Sequence, residues 1–159
     1  MADRILTTHA GSLPRPTDLI ELIWAKMDGQ EVDRTQLEDR MRSAVAEVVA
    51  KQRDLGIDVI SDGEMSKPGF STYVSERFSG FDGQAEFQSD DVAPFPDLAM
   101  RLFATDSMAH VVFSNCVGPV ELTDGESIHR DIANFKAALG DTSLENAFMG
   151  SISPGQIAF

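Results

Sequence analysis

Two short polar clusters hold the residue types from which a small-molecule site is built. The first is Thr7-Thr8-His9-Ala10-Gly11-Ser12-Leu13-Pro14, and the second is Ser61-Asp62-Gly63-Glu64. Glycine lets backbone approach a ligand closely, and the N–H groups that follow can hold an anion such as a carboxylate. In the second cluster Asp62 and Glu64 repel each other and resist burial unless a cation offsets them. A ligand ammonium group or a metal ion would do so. The competing readings are an ordinary strand-to-helix turn for the first cluster and a solvated acidic turn for the second. His9 lies inside the first cluster, where a substrate contact and a structural hydrogen bond are both open.

The other residues with metal-binding or nucleophilic chemistry stand apart. His110 precedes an apolar run and His129 falls on a helical pattern, and neither has a Cys or His at ligand spacing. Cys116 is the single cysteine, so there is no internal disulfide and no all-cysteine metal site. Without a visible base partner it is expected to be a buried, inert thiol. No Gly-rich phosphate loop, G-x-G-x-x-G or G-x-S-x-G elbow is present.

The elements around the clusters read as follows. Ile5–Thr8 is β-prone and runs into the first cluster. Thr17 or Asp18 caps a helix carrying Leu19, Ile20, Ile23, Trp24 and Met27, closed by Asp28-Gly29. Thr35 and Glu38 fit a capping box for a long helix. Leu37, Met41, Val45, Val48, Val49 and Leu55 form its apolar face, and Gly56 stands at C′. Ile57–Ile60 is a buried-strand pattern that delivers the second cluster. Phe70–Phe78 fits a helix or an aromatic loop, and residues 80–97 an excursion, flap or hairpin. Val111–Phe113 and Val120–Leu122 suggest strands. Ile128, Ile132, Phe135 and Leu139 step as a helix ended by Gly140-Asp141. Ala147–Met149 is a further short strand, followed by a Ser151–Gly155 turn. Short apolar strands alternating with amphipathic helices predict a parallel α/β fold, whose C-terminal strand edge binds ligands.

Composition narrows the partners. Of 159 residues, 13 are Lys or Arg and 26 are Asp or Glu, a formal charge of −13. That balance disfavours nucleic acid and anionic membrane surfaces, which recruit clustered cations. The 42% hydrophobic content suffices for a core. No run reaches the roughly 18 apolar residues of a membrane helix, and Met1–Leu6 has no signal-peptide core. A reducing, cytoplasmic setting is the expectation.

Taken together and in order, the clusters resemble a known family. Thr7–Pro16 is similar to the opening strand and loop of the catalytic barrel of cobalamin-independent methionine synthase. Asp58-Val-Ile-Ser-Asp-Gly-Glu64, with Met65-Ser-Lys-Pro-Gly-Phe70, is similar to its second-strand segment. The wording looks closest to single-barrel, methionine synthase II-like relatives, which include epoxyalkane–coenzyme M transferases.

The resemblance implies a (β/α)8 TIM barrel of the methionine synthase/UroD-like kind. Residues 1–159 would be the N-terminal portion of one barrel domain, incomplete in this chain, with an irregular excursion at about 66–109. It implies methyl transfer from 5-methyltetrahydrofolate to the thiol of homocysteine, with zinc lowering the thiol pKa. The backbone of Ala10, Gly11 and Ser12 would hold the amino-acid carboxylate and Glu64 its ammonium, with His9 and Asp62 beside them. No catalytic residue is assigned. The family's His-x-Cys zinc pair is absent here, so the metal ligands are expected beyond Phe159, and the chain alone is expected to be inactive. A full barrel takes about 250 residues. The alternatives are alkyl transfer to another thiol such as coenzyme M, or a non-catalytic half-barrel that self-associates through its open edge.

Overall fold

The computed structural model describes residues 4–83, 91–103 and 114–153. The chain divides into two compact units, Met1–Pro68 with Gly125–Ile152, and Gly69–Asp124 with Ser153–Phe159.

The first unit contains both polar clusters. Its helices are α1 (Thr17–Met27), α2 (Arg34–Asp54) and α5 (Glu126–Leu139). Its strands are β1 (Ile60–Ser61) and β4 (Ala147–Phe148). β1 and β4 pair in parallel, with Ile60 opposite Ala147 and Ser61 opposite Phe148. On the other side of β1, Thr8 makes a parallel bridge to Val59. Three parallel segments therefore lie side by side, and the connections between them carry helices. That is the α/β arrangement expected from the alternation of patterns.

One core binds these elements. Leu19 and Ile23 of α1, Leu37, Ala44, Val45, Val48 and Val49 of α2, Ile60 of β1, Met65, and Phe135 and Leu139 of α5 are all buried together. The α2 positions repeat at helical spacing, so one face of this 21-residue helix meets α1, β1 and α5. Gln52 is a polar residue on that buried face. Its Nε2 donates to the Ser61 carbonyl at 2.8 Å, and its Oε1 accepts from the Ser61 N–H at 3.0 Å. The side chain thus behaves as an extra strand residue for β1.

Several sequence expectations need correction at helix ends. α2 is capped by Asp33, whose Oδ1 accepts from the Thr35 and Gln36 N–H groups at 2.8 and 3.2 Å. Thr35 is thus inside the helix, and Glu38 pairs with Arg34 and Arg130 rather than closing a capping box. The carboxylate two residues earlier won because it reaches two free donors at once. α1 begins after Pro16, with no side-chain cap; Asp18 lies in its first turn and pairs with Arg40. Leu55 is 70% exposed, because it is the C-cap of α2 and no longer follows the helical face. Gly56 does take the left-handed C′ conformation, with φ 73°. Of the expected strand Ile5–Thr8, only Thr8 pairs, while Ile5 is 92% exposed. In the α5 stripe Phe135 and Leu139 are buried, and Ile128 and Ile132 are half-buried.

The second unit holds α3 (Phe70–Arg77), β2 (Phe81–Asp82), α4 (Pro96–Phe103) and β3 (Asn115–Cys116). β2 and β3 form an antiparallel ladder, and Phe78 bridges Leu122. The helix expected over Phe70–Phe78 runs to Arg77, with Phe78 as its extended C-cap. Within the 80–97 excursion, β2 pairs with the distant β3, across a connection that carries α4, rather than forming a hairpin of its own. Of Val120–Leu122 only Leu122 pairs. Cys116 is exposed on β3, which corrects the expectation of a buried thiol. It lies on a two-residue strand, and among the described residues nothing covers the thiol. The Val111–Phe113 strand, His110 and the Pro154-Gly155 half of the last turn lie outside the described residues.

Candidate functional site

The two polar clusters meet because their parent segments pair. Thr7 and Asp58 fasten the first segment to the second. The Asp58 and Val59 N–H groups donate to the Thr7 carbonyl at 3.2 and 3.0 Å. Asp58 Oδ2 accepts from the Thr7 N–H and hydroxyl, and its carboxylate also pairs with Arg4. The Arg4 guanidinium and the Thr7 donors hold the Asp58 carboxyl far below the usual carboxylate range. Thr8 Oγ1 adds a 2.7 Å bond to the Val59 carbonyl. Each segment then runs into its cluster on the same edge.

At that edge Ser12 Oγ donates to Glu64 Oε2 at 2.6 Å. The Leu13 N–H donates to the Gly63 carbonyl at 3.0 Å. Asp62 is 2% exposed and Glu64 8%. The acidic cluster is therefore not a solvated turn. Lys67 and Arg15 offset its charge. Lys67 Nζ lies 3.2 Å from Asp62 Oδ2 and donates to the Gly150 carbonyl, just beyond β4, at 2.7 Å. Arg15 Nη2 donates to the Glu64 carbonyl at 2.8 Å and to the Lys67 carbonyl. Burial pushes the Arg15 guanidinium below its usual value, and the Glu64 and Asp62 charges oppose that. It remains a cation at neutral pH.

The turn itself is strained. Gly63 has φ 60° and Glu64 has φ 57°, the one non-glycine residue at positive φ among the described residues. A left-handed L-residue costs about 1–2 kcal/mol. At Gly63 a side chain would also crowd Met65 Cε and Val48 Cγ2 at 3.1 Å, so glycine suits both the space and the positive φ. The Glu64 N–H donates to Asp62 Oδ1 at 3.2 Å, and the Met65 N–H to the Asp62 carbonyl at 3.4 Å. Backbone strain of this kind is concentrated at functional sites in proteins generally. Gly150 approaches from the third parallel segment: a Cβ there would lie 3.3 Å from Glu64 Oε1.

The remaining expected residues are placed as follows. Ala10 and Gly11 are exposed on the loop before Ser12, and Gly11 has φ 91°. Ser12 is exposed while its partner Glu64 is buried, so the pair sits at the rim. His9 is half-buried, and its Nε2 is buried with no hydrogen-bond partner, as is Arg15 Nε. His129 is exposed on α5. Arg15, Lys67, Gln52 and Gly150 were not singled out from sequence. Lys67, three residues after Glu64, was a signal in the sequence, while Arg15, three residues after Ser12 in the other loop, carried none that tied it to the carboxylates. Nothing in the pattern marks Gln52 or Gly150.

Zinc does not fit the described residues. No group of three or more His, Cys, Asp and Glu among them comes together at metal-binding range. Asp62 is engaged by Lys67, and Cys116 belongs to the other unit. Among the described residues, no helix is long and apolar enough to cross a membrane.

What the site can do is hold opposite charges a short distance apart. A glycine-containing loop offers N–H groups after one strand, and a buried carboxylate stands after the next. Likeness to known proteins is found at the level of sequence and fold. The chain is 40% identical over 84 residues to a methionine synthase of Sulfolobus acidocaldarius, covering 51% of this chain and 24% of that protein. It is 35% identical over 75 residues to a 5-methyltetrahydropteroyltriglutamate–homocysteine methyltransferase of Mycolicibacterium paratuberculosis, covering 47% of this chain and 10% of that one. A crystal structure of a putative vitamin-B12 independent methionine synthase from Listeria monocytogenes superimposes with a TM-score of 0.51. Identity is 18%, and the match covers 94% of this chain and 42% of that one, which is a likeness of fold. The chain thus spans about a quarter or less of the curated relatives named here. The catalytic-domain model of the cobalamin-independent synthases matches residues 5–100, and the chain belongs to that family.

Proposed function

We propose that this chain supplies the amino-acid-binding edge of a methionine synthase-type methyltransferase built as a (β/α)8 barrel, of which residues 1–159 are the N-terminal portion. The substrates are homocysteine and 5-methyltetrahydrofolate or its polyglutamate. As the S–CH3 bond forms, the thiol gives up its proton, the N5–CH3 bond of the folate breaks, and N5 takes up one proton, so that the exchange balances. The backbone N–H groups of Ala10, Gly11 and Ser12 hold the homocysteine carboxylate. Glu64 holds the ammonium, and Asp62 and His9 flank it. Asp62 acts indirectly, since Lys67 takes its charge.

The observation that carries this reading is the 2.6 Å contact of Ser12 with the buried Glu64. It brings the anion-holding loop and the cation-holding carboxylate within one amino acid's reach. Because the described residues do not fit zinc, the proposed role of this chain stops at binding and orienting the acceptor. Calorimetric titration of the chain with L-homocysteine tests it. Glu64→Gln is expected to weaken binding by about 1–3 kcal/mol, the cost of losing a charged hydrogen bond. Unchanged affinity overturns the assignment.

A further inference from the structure

We propose that Arg15 is a positioning residue whose guanidinium locks the left-handed backbone of Glu64 and so aims the Glu64 carboxylate at Ser12. Its functional consequence rests on Glu64 holding the ligand ammonium; its structural content does not.

A left-handed glutamate persists only where its surroundings over-determine it. Within the turn, Asp62 Oδ1 accepts from the Glu64 N–H, and the Lys67 N–H donates to the Glu64 carbonyl at 3.1 Å. These contacts are local and would move with the turn if it relaxed. Arg15 is different, because it reaches across from the first loop, 49 residues away in sequence. Its Nη2 spans the Glu64 and Lys67 carbonyls, the two ends of the segment that must stay curled. Both bonds go to main-chain oxygens, although two carboxylates are nearby. The contact therefore acts on backbone shape. Arg15 also follows Ser12 by three residues, so one loop both receives the Glu64 carboxylate and fixes the turn that presents it. Arginine suits this role, because a planar guanidinium holds two acceptors and stays charged when buried.

A simple counter-charge role for Arg15 gives a different expectation, and a mutant cycle separates the two. Urea unfolding of the 159-residue chain is measured for Arg15→Met in three backgrounds: unaltered, Glu64→Gln and Glu64→Gly. Glutamine removes the carboxylate charge and keeps the left-handed penalty. Glycine removes both. Arg15→Met is expected to lower the folding constant on the order of tenfold in the first two backgrounds and several-fold further in Glu64→Gly, because only a strained residue 64 recovers free energy by relaxing once Arg15 is gone. Equal relief in the glutamine and glycine backgrounds makes Arg15 a counter-charge and overturns the proposal. An equal loss in all three makes it ordinary packing and overturns it too. If Arg15→Met abolishes cooperative unfolding, Arg15→Lys, which keeps the charge and loses the two-acceptor fork, is read in the same three backgrounds: a loss in all of them that is largest in Glu64→Gly supports the proposal, and no loss, or an equal loss in all three, overturns it. A failure of L-homocysteine to bind the unaltered chain would strike the binding role of Glu64 and leave the outcome of this cycle intact.

Discussion

Ser12 and Glu64 are 52 residues apart in sequence and 2.6 Å apart in space. The hydroxyl is at the exposed rim, and the carboxylate is buried beneath it. The contact exists because Thr8 pairs with Val59, which sets the ends of two parallel segments level. Ser12 satisfies the carboxylate in the unliganded chain, and an incoming ammonium competes for the same oxygen. Ser12→Ala is therefore expected to tighten L-homocysteine binding or leave it within about twofold, since it frees Glu64 while keeping the backbone N–H groups. A loss on the scale of Glu64→Gln would show that the hydroxyl itself holds the ligand.

Asp62 and Lys67 form a buried pair, each side chain 3% exposed. Lys67→Met leaves the Asp62 carboxylate uncompensated and is expected to cost about 3–5 kcal/mol of stability. Adding Asp62→Asn should recover much of that, because the amide is neutral and its Oδ1 can still accept the Glu64 N–H. Chemical denaturation of the two single variants and the double measures the coupling. Additive losses would mean the pair is not coupled.

Asp58 is expected to contribute to the acid limb of stability. Its folded-state pKa is depressed by Arg4 first and the Thr7 N–H next. Such a carboxylate contributes its full stability above its unfolded value, near pH 4, and loses it as pH falls through the lower folded value. Asp58→Asn is expected to reduce the urea midpoint at pH 7 and to flatten its decline between about pH 5 and about pH 2. The two midpoint curves should converge in acid. Parallel curves contradict the assignment.

Gln52 clamps both main-chain groups of Ser61. Gln52→Leu fills the same buried space but strands those groups, at about 1–3 kcal/mol. Amide exchange at Ser61 should accelerate more than exchange along α2. Uniform acceleration would indicate general loosening instead.

Elements set by hydrophobic period were legible in the sequence. Leu37, Val45, Val48 and Val49 face the core as their spacing requires, and Gly56 ends the helix as a C′ glycine does. The helix cap was not, because Asp33 and Thr35 are both good caps and only geometry decides between them. Strand extent was not: Ile5–Thr8 reads as a short β-prone run, and of it Thr8 forms the bridge to Val59. Pairing depends on a neighbour in space, which no local pattern reports. The clusters at Ala10–Ser12 and Asp62–Glu64 were legible as polar turns following apolar segments from their residue types. Their union through Arg15, Lys67 and Gly150 was not, since it depends on main-chain carbonyls that every sequence has.

The 159-residue chain by itself is expected to show no turnover of homocysteine with 5-methyltetrahydrofolate, because its described residues fit no zinc. Methionine formation at a rate above the uncatalysed background would contradict that expectation.

The central claim is that the loop edge recognises the two charged poles of an α-amino acid. The most direct test follows the Ser12 and Glu64 amide resonances as L-methionine and 4-(methylthio)butanoate are titrated in parallel. The second compound keeps the carboxylate and thioether and lacks only the ammonium. L-Methionine is expected to shift both resonances at concentrations where the deaminated compound shifts neither or only Ser12. Glu64→Gln should erase the difference. Equal responses of both resonances to the two compounds in the unaltered chain would contradict the account.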